Sequence, residues 1–303
     1  MKKIAKQPTK NNNLYSKINR LLVFLFILFL PTQLGKHFFL PFSYLSGVRV
    51  DYLAPTVYVT DIIAFILAYI NLRFIFSIFK RKSVLLLFSL LVPPIIFAQS
   101  LFISLYQFVK IIEVCVVGII AYRHILEDRM MLMGLWITGT VQLTLSLIQL
   151  YLKHSLQGIF YFIGERYMSL SMPGIAKASF QGVEFLRPYG SFSHPNSLAG
   201  FFLVLYMWIL VDKRFNKFLV LKYASLFVFS VLVFVSFSKV AIFSHVLFSS
   251  FYLFFIVRIP CRFCKWARFV VLATISFIFI QARTDPLTVQ KRLELINKTI
   301  GRS

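Results

Sequence analysis

The stretch Phe218-Leu-Val-Leu-Lys-Tyr-Ala-Ser-Leu-Phe-Val-Phe-Ser-Val-Leu-Val-Phe-Val-Ser-Phe237 carries one charge, Lys222, in twenty residues. Such a run matches the ~20 residues a helix needs to cross a ~30 Å hydrocarbon core. Four further blocks hold almost no charge: Leu21–Leu30, Val57–Ile70, Phe201–Val211 and Val246–Val257. The whole chain follows suit, with 59% hydrophobic and 14% charged residues, 36 Phe and a mean hydropathy of +0.79. A soluble domain holds roughly 25% charged residues and about 45–50% apolar ones. Backbone polar groups within lipid must be satisfied inside the segment, and alternating ten-residue strands are lacking, so helices and not a barrel are expected. The fold class read here is all-α: a polytopic integral membrane protein of about nine transmembrane helices.

The net charge of +23 gathers at the ends of these blocks. The expected spans are 20–35, 57–79, 83–98, 102–121, 130–152, 196–211, 218–237, 240–257 and 268–281. With the N-terminus in the cytoplasm, the segments inside hold 16 Lys and Arg, against 7 in the short segments outside. That asymmetry is what the positive-inside rule produces. It places a basic tail, residues 1–19, in the cytoplasm, the membrane domain at 20–281 and residues 282–303 outside. No nucleic-acid partner is expected, because no segment is long or polar enough to present a basic folded face. The apolar core Leu21–Leu30 is followed by Pro31-Thr-Gln-Leu-Gly-Lys-His, which lacks a small-x-small cleavage site, and reads as a retained signal anchor. Residues 83–121 and 218–257 read as tight hairpins, the first kinked at Pro93-Pro94. The external loop 153–195 is too long to be a mere connector. Cys261 and Cys264 form one Cys-x-x-Cys with no second ligand pair, so no metal is expected, and the two thiols read as interfacial residues in a reducing compartment.

Leu186-Arg-Pro-Tyr-Gly-Ser-Phe-Ser-His-Pro-Asn-Ser-Leu-Ala-Gly200 is the most informative stretch for chemistry. His194 precedes a proline and should be extended, outside the helix. Asn196 then fits as the helix cap. A helix N-terminus flanked by Arg187 and His194 suits an anion such as phosphate, while a plain turn among lipid headgroups accounts for the same residues. Lys239, beside Ser236 and Ser238, interrupts an apolar hairpin: it is either a functional cation or a snorkelling one. Lys110 and Glu113 lie one turn apart within a span and are expected to neutralise each other, with a proton relay as the lesser alternative. Asp61 reads as a carboxylate at a helix start. Arg292-Leu-Glu-Leu-Ile-Asn-Lys-Thr-Ile300 reads as a short amphipathic helix on the outer surface, and Arg283, Lys291 and Arg292 are cations against the inside bias.

With these residues in view, the chain resembles the O-antigen ligase/O-antigen polymerase superfamily of bacterial membrane glycosyltransferases. Arg187-Pro-Tyr-Gly-Ser-Phe-Ser-His-Pro-Asn196 is similar to the family's Arg-x-x-Gly-Thr-Phe-x-His-Pro-Asn motif. Ser236-Phe-Ser-Lys239 stands where the family has Ser-Arg, and Gln290-Lys-Arg292-Leu-Glu-Leu is similar to the start of its large periplasmic loop. Pro31-Thr-Gln-Leu-Gly-Lys-His-Phe-Phe39 with Asp51-Tyr-Leu-Ala-Pro-Thr56 resembles the first periplasmic loop of some members.

The resemblance implies transfer of a glycan from an undecaprenyl-diphosphate carrier to an acceptor glycan or lipid, outside the bacterial inner membrane, with no metal or other cofactor. Arg187, Lys239 and Arg292 would hold the carrier's diphosphate, and His194 and Asn196 would order the helix start beside them. Fixed cations near a low-dielectric surface stabilise a departing diphosphate. Two departures bear on this. Lys239 offers a point charge where the family has the fork of an arginine. The family's later His-Asn motif has no counterpart before Ser303, so no catalytic residue is assigned, and the chain reads as a truncated or shortened homologue. The alternatives are a transporter or flippase for lipid-linked glycans, which would need polar groups at mid-membrane and inverted repeats, or an inactive remnant.

Overall fold

The apolar blocks fold as helices. A computed structural model describes residues 13–45, 48–49, 53–80, 82–98, 100–123, 128–172, 175–180, 182–256, 261–280 and 283–284, and helix dominates them. They divide into two compact units, one of residues up to Leu30 with Leu34–Gly134, the other of Pro31–Gln33 with Leu135 onward. Arg292, the outer-surface helix expected at its side, and residues 1–12 of the basic tail lie outside the described residues.

In the first unit, α1 (Asn13–Phe29) leads to β1 (Gly35–His37), β2 (Tyr44–Leu45), β3 (Val48–Arg49) and β4 (Thr56–Tyr58). β1 pairs antiparallel with β4, Lys36 opposite Val57, and β2 pairs with β3. Then come α2 (Val59–Ile70), α3 (Leu72–Phe79), α4 (Lys82–Ser89), α5 (Val92–Ile96) and α6 (Leu101–Arg123). Ile63 and Leu67 of α2, one helical turn apart, share one face. They meet Val23 of α1 and Val116, Val117 and Ile120 of α6 to form the core.

Two expected spans of this unit are each built from two helices. The span at 57–79 is broken at Asn71, with α3 turned 84° from α2. The Asn71 side chain causes it: its amide donates to Asn19 Oδ1 (2.7 Å) and its oxygen accepts from Tyr15 OH (2.7 Å), both on α1. The span at 83–98 is split between α4 and α5, and α5 restarts with a proline in its first two positions, where a missing N–H costs nothing. The break between the two helices falls just ahead of the Pro93-Pro94 pair, where a kink was expected.

The second unit takes up α7 (Asp128–Leu152), whose first residues belong to the other unit. It continues through the hairpin β5 (Lys177–Phe180) and β6 (Val183–Leu186), then α8 (Pro195–Val211), α9 (Leu219–Val235), α10 (Lys239–Phe251), α11 (Arg262–Ile280) and β7 (Arg283–Thr284). The three strands form one sheet in the order β6-β5-β7, with Arg283 opposite Ser179. The end of α11 therefore returns to the hairpin of the 153–195 loop. Ala199 and Leu203 of α8, Val233 and Phe234 of α9 and Ala241 and Ile242 of α10 form its core. At Gly139 of α7 an added Cβ would meet the Phe229 ring at 2.5 Å, so the small residue lets α7 and α9 approach closely.

Among the described residues, three helices are long and apolar enough to cross a membrane: Leu101–Ala121, Asp128–Leu152 and Lys239–Ile256. The bent pair Val59–Ile70 and Leu72–Phe79 makes a fourth if taken as one span. Pro195–Val211, Leu219–Val235 and Trp266–Ile278 are apolar but shorter. Seventeen residues rise roughly 25 Å, the low end of what a ~30 Å core requires. Large apolar side chains stay on the outside of both units, Phe97 at 87% and Val220 at 88% exposure among them. In water this much exposed Phe, Leu and Val would drive association, whereas lipid accepts it. Several helices thus have the length and surface of a multi-pass membrane protein.

Candidate functional site

An amide or charge in so apolar a chain has to find a partner, so the site is built from its polar residues upward. Leu186 at the end of β6 is fully buried, and the Arg187 N–H extends the hairpin by donating to Ala176 O (3.1 Å). Ala176 N–H in turn donates to the Tyr189 hydroxyl (2.9 Å), and burial pushes that phenol's pKa up. This anchoring leads the chain straight from a strand into the turn that precedes α8.

Arg187 is 7% exposed. Its Nε donates to Ser236 O (3.0 Å), at the C-cap of α9, and Nη2 donates to Asn196 Oδ1 (2.7 Å), in the first turn of α8. A cation at a helix C-terminus meets the unsatisfied carbonyls and the negative end of the helix dipole. Burial lowers the guanidinium's pKa, yet an arginine begins so high that it stays charged. Three of the residues singled out in the sequence, Arg187, Asn196 and Ser236, therefore converge.

The role expected for Asn196 is corrected. The helix cap is His194, extended at φ −154°, whose Nδ1 accepts the Asn196 N–H (3.1 Å), with Pro195 in the first turn. Asn196 is left to present its oxygen to Arg187. His194 is extended ahead of Pro195, as the proline rule requires.

Ser236 Oγ donates to Val233 O (2.7 Å) and accepts from Ser238 N–H (3.2 Å), which tightens the turn between α9 and α10. Phe237 sits there at φ +52°, a strained backbone for a residue with a Cβ, and its ring lies 4.8 Å from that of Phe185 on β6. Lys239 opens α10 with its side chain exposed, and the Ser238 side chain makes no capping hydrogen bond. The junction thus offers a fixed guanidinium, an exposed ammonium and a helix start without a side-chain cap, a combination suited to an anion.

Sequence reasoning missed what holds this turn. Gln142, Ser146 and Gln149 lie at i, i+4 and i+7 on one face of α7, and all three are buried. Gln149 Oε1 accepts from the N–H groups of Tyr189 (3.0 Å) and Gly190 (2.9 Å), while its Nε2 donates to Gly190 O (2.9 Å) and Glu165 Oε1 (2.8 Å). The Glu165 carboxylate also accepts from Leu156 N–H and Gln157 N–H. Gln142 Oε1 accepts from Ser191 N–H (3.0 Å), and Ser191 Oγ donates to Pro31 O (2.7 Å). A polar stripe along an otherwise apolar span was the signal available. Gly190 stands at φ +57°, where an added Cβ would meet Gln142 Oε1 at 2.5 Å. Gly190→Ala is therefore expected to destabilise the protein by about 2 kcal/mol, from the left-handed backbone alone, before any clash; thermal unfolding of the detergent-solubilised variant measures it.

Asp61, Lys110 and Glu113 of the first unit form a separate cluster. Asp61 Oδ2 accepts from Tyr58 N–H (2.8 Å), the helix-start role read for it, and it also pairs with Lys110. Lys110 lies 3.7 Å from Glu113 on its own helix, the expected pair, and its ammonium faces the rings of Tyr58 (5.2 Å) and Tyr106 (5.3 Å). The intrahelical pair is thus one side of a cross-helix triad that shares Lys110. Cys261 and Cys264 are exposed free thiols, and no group of three His, Cys, Asp or Glu able to hold a metal occurs among the described residues. Against this geometry, comparison with known proteins gives no match: no family model, no curated protein and no solved structure is similar to the chain.

Proposed function

We propose that the protein is an O-antigen ligase-like component of the bacterial inner membrane, with about nine spans, a cytoplasmic N-terminus and residues 282–303 outside. Its task is to hold the diphosphate of an undecaprenyl-diphosphate-linked glycan during transfer of that glycan to an acceptor glycan or lipid. The observation that carries this reading is the position of Arg187, a buried, permanently charged fork fixed between Asn196 and Ser236, the latter three residues before the start of α10, which has no side-chain cap. Lys239 beside it is free to reach a phosphate oxygen, and Arg292 is assigned as the third cation on the strength of the sequence. His194 is assigned no proton transfer, since its Nδ1 already accepts the Asn196 amide. Its part is to set the direction of α8.

The test is binding of radiolabelled undecaprenyl diphosphate to the full chain in proteoliposomes. Lys239→Ala should weaken binding on the order of tenfold or more, the worth of one charge-assisted hydrogen bond, and Lys239→Arg should retain it. Equal affinity in Lys239→Ala, Arg292→Ala and the parent protein would sink the assignment. A transporter for lipid-linked glycans is the second reading, favoured by the triad of Asp61, Lys110 and Glu113 within the apolar unit. Movement of the labelled lipid across vesicles without glycan transfer would select it.

A further inference from the structure

The break at Asn71 has a second consequence, which does not depend on any glycan chemistry. α3 leaves α2 at 84°, and its residues sort sharply by type around the helix. Arg73, Ser77 and Lys80 follow one another at i, i+4 and i+7, and all three are exposed. Ile75 and Phe79 point the other way and pack on the core formed by α1, α2 and α6. Leu72 and Phe76, exposed at 40% and 60%, lie between these two faces. Continued as part of the span 57–79, this helix would carry the Arg73 cation and the Ser77 hydroxyl into hydrocarbon, where charged groups are costly, with Lys80 at its end. Turned into the membrane plane, it places the same stripe among headgroups and leaves Leu72 and Phe76 to the acyl chains.

We propose that α3 is an in-plane helix on the cytoplasmic leaflet whose Arg73–Ser77–Lys80 stripe binds the headgroups of anionic phospholipids. The bend is built in. Asn71 donates its side-chain amide to Leu67 O (2.8 Å) and Asn19 Oδ1, while its backbone oxygen accepts from Phe74 N–H and Ile75 N–H (both 3.0 Å). One helix is thereby ended and the next started at the same residue, and Tyr15 OH and Asn19 pin that residue to α1. The surroundings share the sign of charge. Lys17 and Arg20 of α1 are exposed on either side of Asn19, and exposed Lys82 opens α4 just beyond Lys80. Asp128 is the one acidic group described in this unit apart from Asp61 and Glu113. Juxtamembrane clusters of this kind are drawn to the negative surface of the cytoplasmic leaflet, and the attraction fades within a Debye length.

The proposal is tested by placing single cysteines at positions 72–80 of the full chain, with Cys115, Cys261 and Cys264 replaced by Ser, and spin-labelling each. The labelled proteins are reconstituted in phosphatidylcholine vesicles with and without phosphatidylglycerol. Immersion depth should oscillate with the helical period, with positions 73, 77 and 80 in water, 72 and 76 in the acyl region, and no net trend along the helix. Arg73→Gln with Lys80→Gln should weaken association of phosphatidylglycerol about 30-fold, roughly fivefold for each basic group, and the remaining preference should fade as salt rises. Both substitutions are at exposed sites outside the core, so folding is preserved. Depth that increases steadily from 72 to 79 would show a crossing segment and overturn the proposal. Equal binding of phosphatidylglycerol by the parent and the double variant would overturn it as well. Neither result touches the diphosphate reading, which is scored at Lys239.

Discussion

Arg187→Met is expected to lower the free energy of unfolding by about 3 kcal/mol, measured by chemical denaturation of the protein in micelles. The change keeps the length and apolar stem of the side chain and removes the fork. The Ser236 carbonyl, at a fully buried residue, then loses its donor from Nε, and Asn196 Oδ1 loses Nη2. Orphaning a buried acceptor costs about 1–3 kcal/mol, and truncating a partner in a buried, hydrogen-bonded charge arrangement costs about 2–5 kcal/mol. The lower part of that range applies because Asn196 is exposed and can turn to water. Arg187→Lys should recover less than half of the loss, since a single ammonium cannot serve both acceptors in their fixed directions. A cost below about 0.5 kcal/mol for Arg187→Met would show that the guanidinium does not tie α8 to α9.

This result would also separate two roles that the sequence leaves merged. As an arginine before a helix start, Arg187 reads equally well as a ligand-holding cation or as part of a turn. The geometry gives it a structural duty first, with Nε and Nη2 both engaged within the protein. Lys239, by contrast, is exposed, so its replacement reports on a ligand without disturbing the junction.

The helical nature of the chain was legible because an apolar block is a local property, and each expected span overlaps one or two helices, although the first, 20–35, runs past the end of α1 at Phe29 into β1. Breaks within the blocks were less so. Averaged over 57–79, the single Asn71 hardly changes the hydropathy, and its decisive partner, Asn19, lies 52 residues away. The same distance problem hid the main partner of Lys110: spacing within α6 points to Glu113, whereas Asp61 is 49 residues off. At the start of α8 the proline fixed the boundary correctly. His194 and Asn196 flank it, however, and both are able to cap, so only the demand of Arg187 for an acceptor decides which one does. Gln149 was passed over because one neutral amide hardly stands out in an apolar run; only its spacing with Gln142 and Ser146 marks it, and its hydrogen-bond partners, Glu165, Tyr189 and Gly190, lie outside its helix.

Gln149→Leu should accordingly cost more than any other change considered, about 4–5 kcal/mol in the same denaturation measurement. A typical hydrogen bond between membrane helices is worth only about 0.6 kcal/mol, because the unfolded helix finds other partners in the bilayer. Gln149 differs in what it holds. Its oxygen is the acceptor for two buried backbone N–H groups, and neither has another outlet in the tight turn around Gly190. Leucine fills the volume but leaves both donors unpaired, at about 1–3 kcal/mol each. It also removes one donor from the Glu165 carboxylate, which is 2% exposed and then rests on the N–H groups of Leu156 and Gln157. Gln149→Glu tests the direction of these bonds. A carboxylate keeps the two acceptor bonds but cannot donate to Gly190 O, and it sets a second negative charge against Glu165, so it should be no better than leucine at neutral pH. Adding Glu165→Gln to Gln149→Glu removes that repulsion and supplies a new donor, and the pair should regain at least half of the lost stability. Failure of the second substitution to rescue the first would mean that the α7 stripe does not support the Arg187 turn through Gln149.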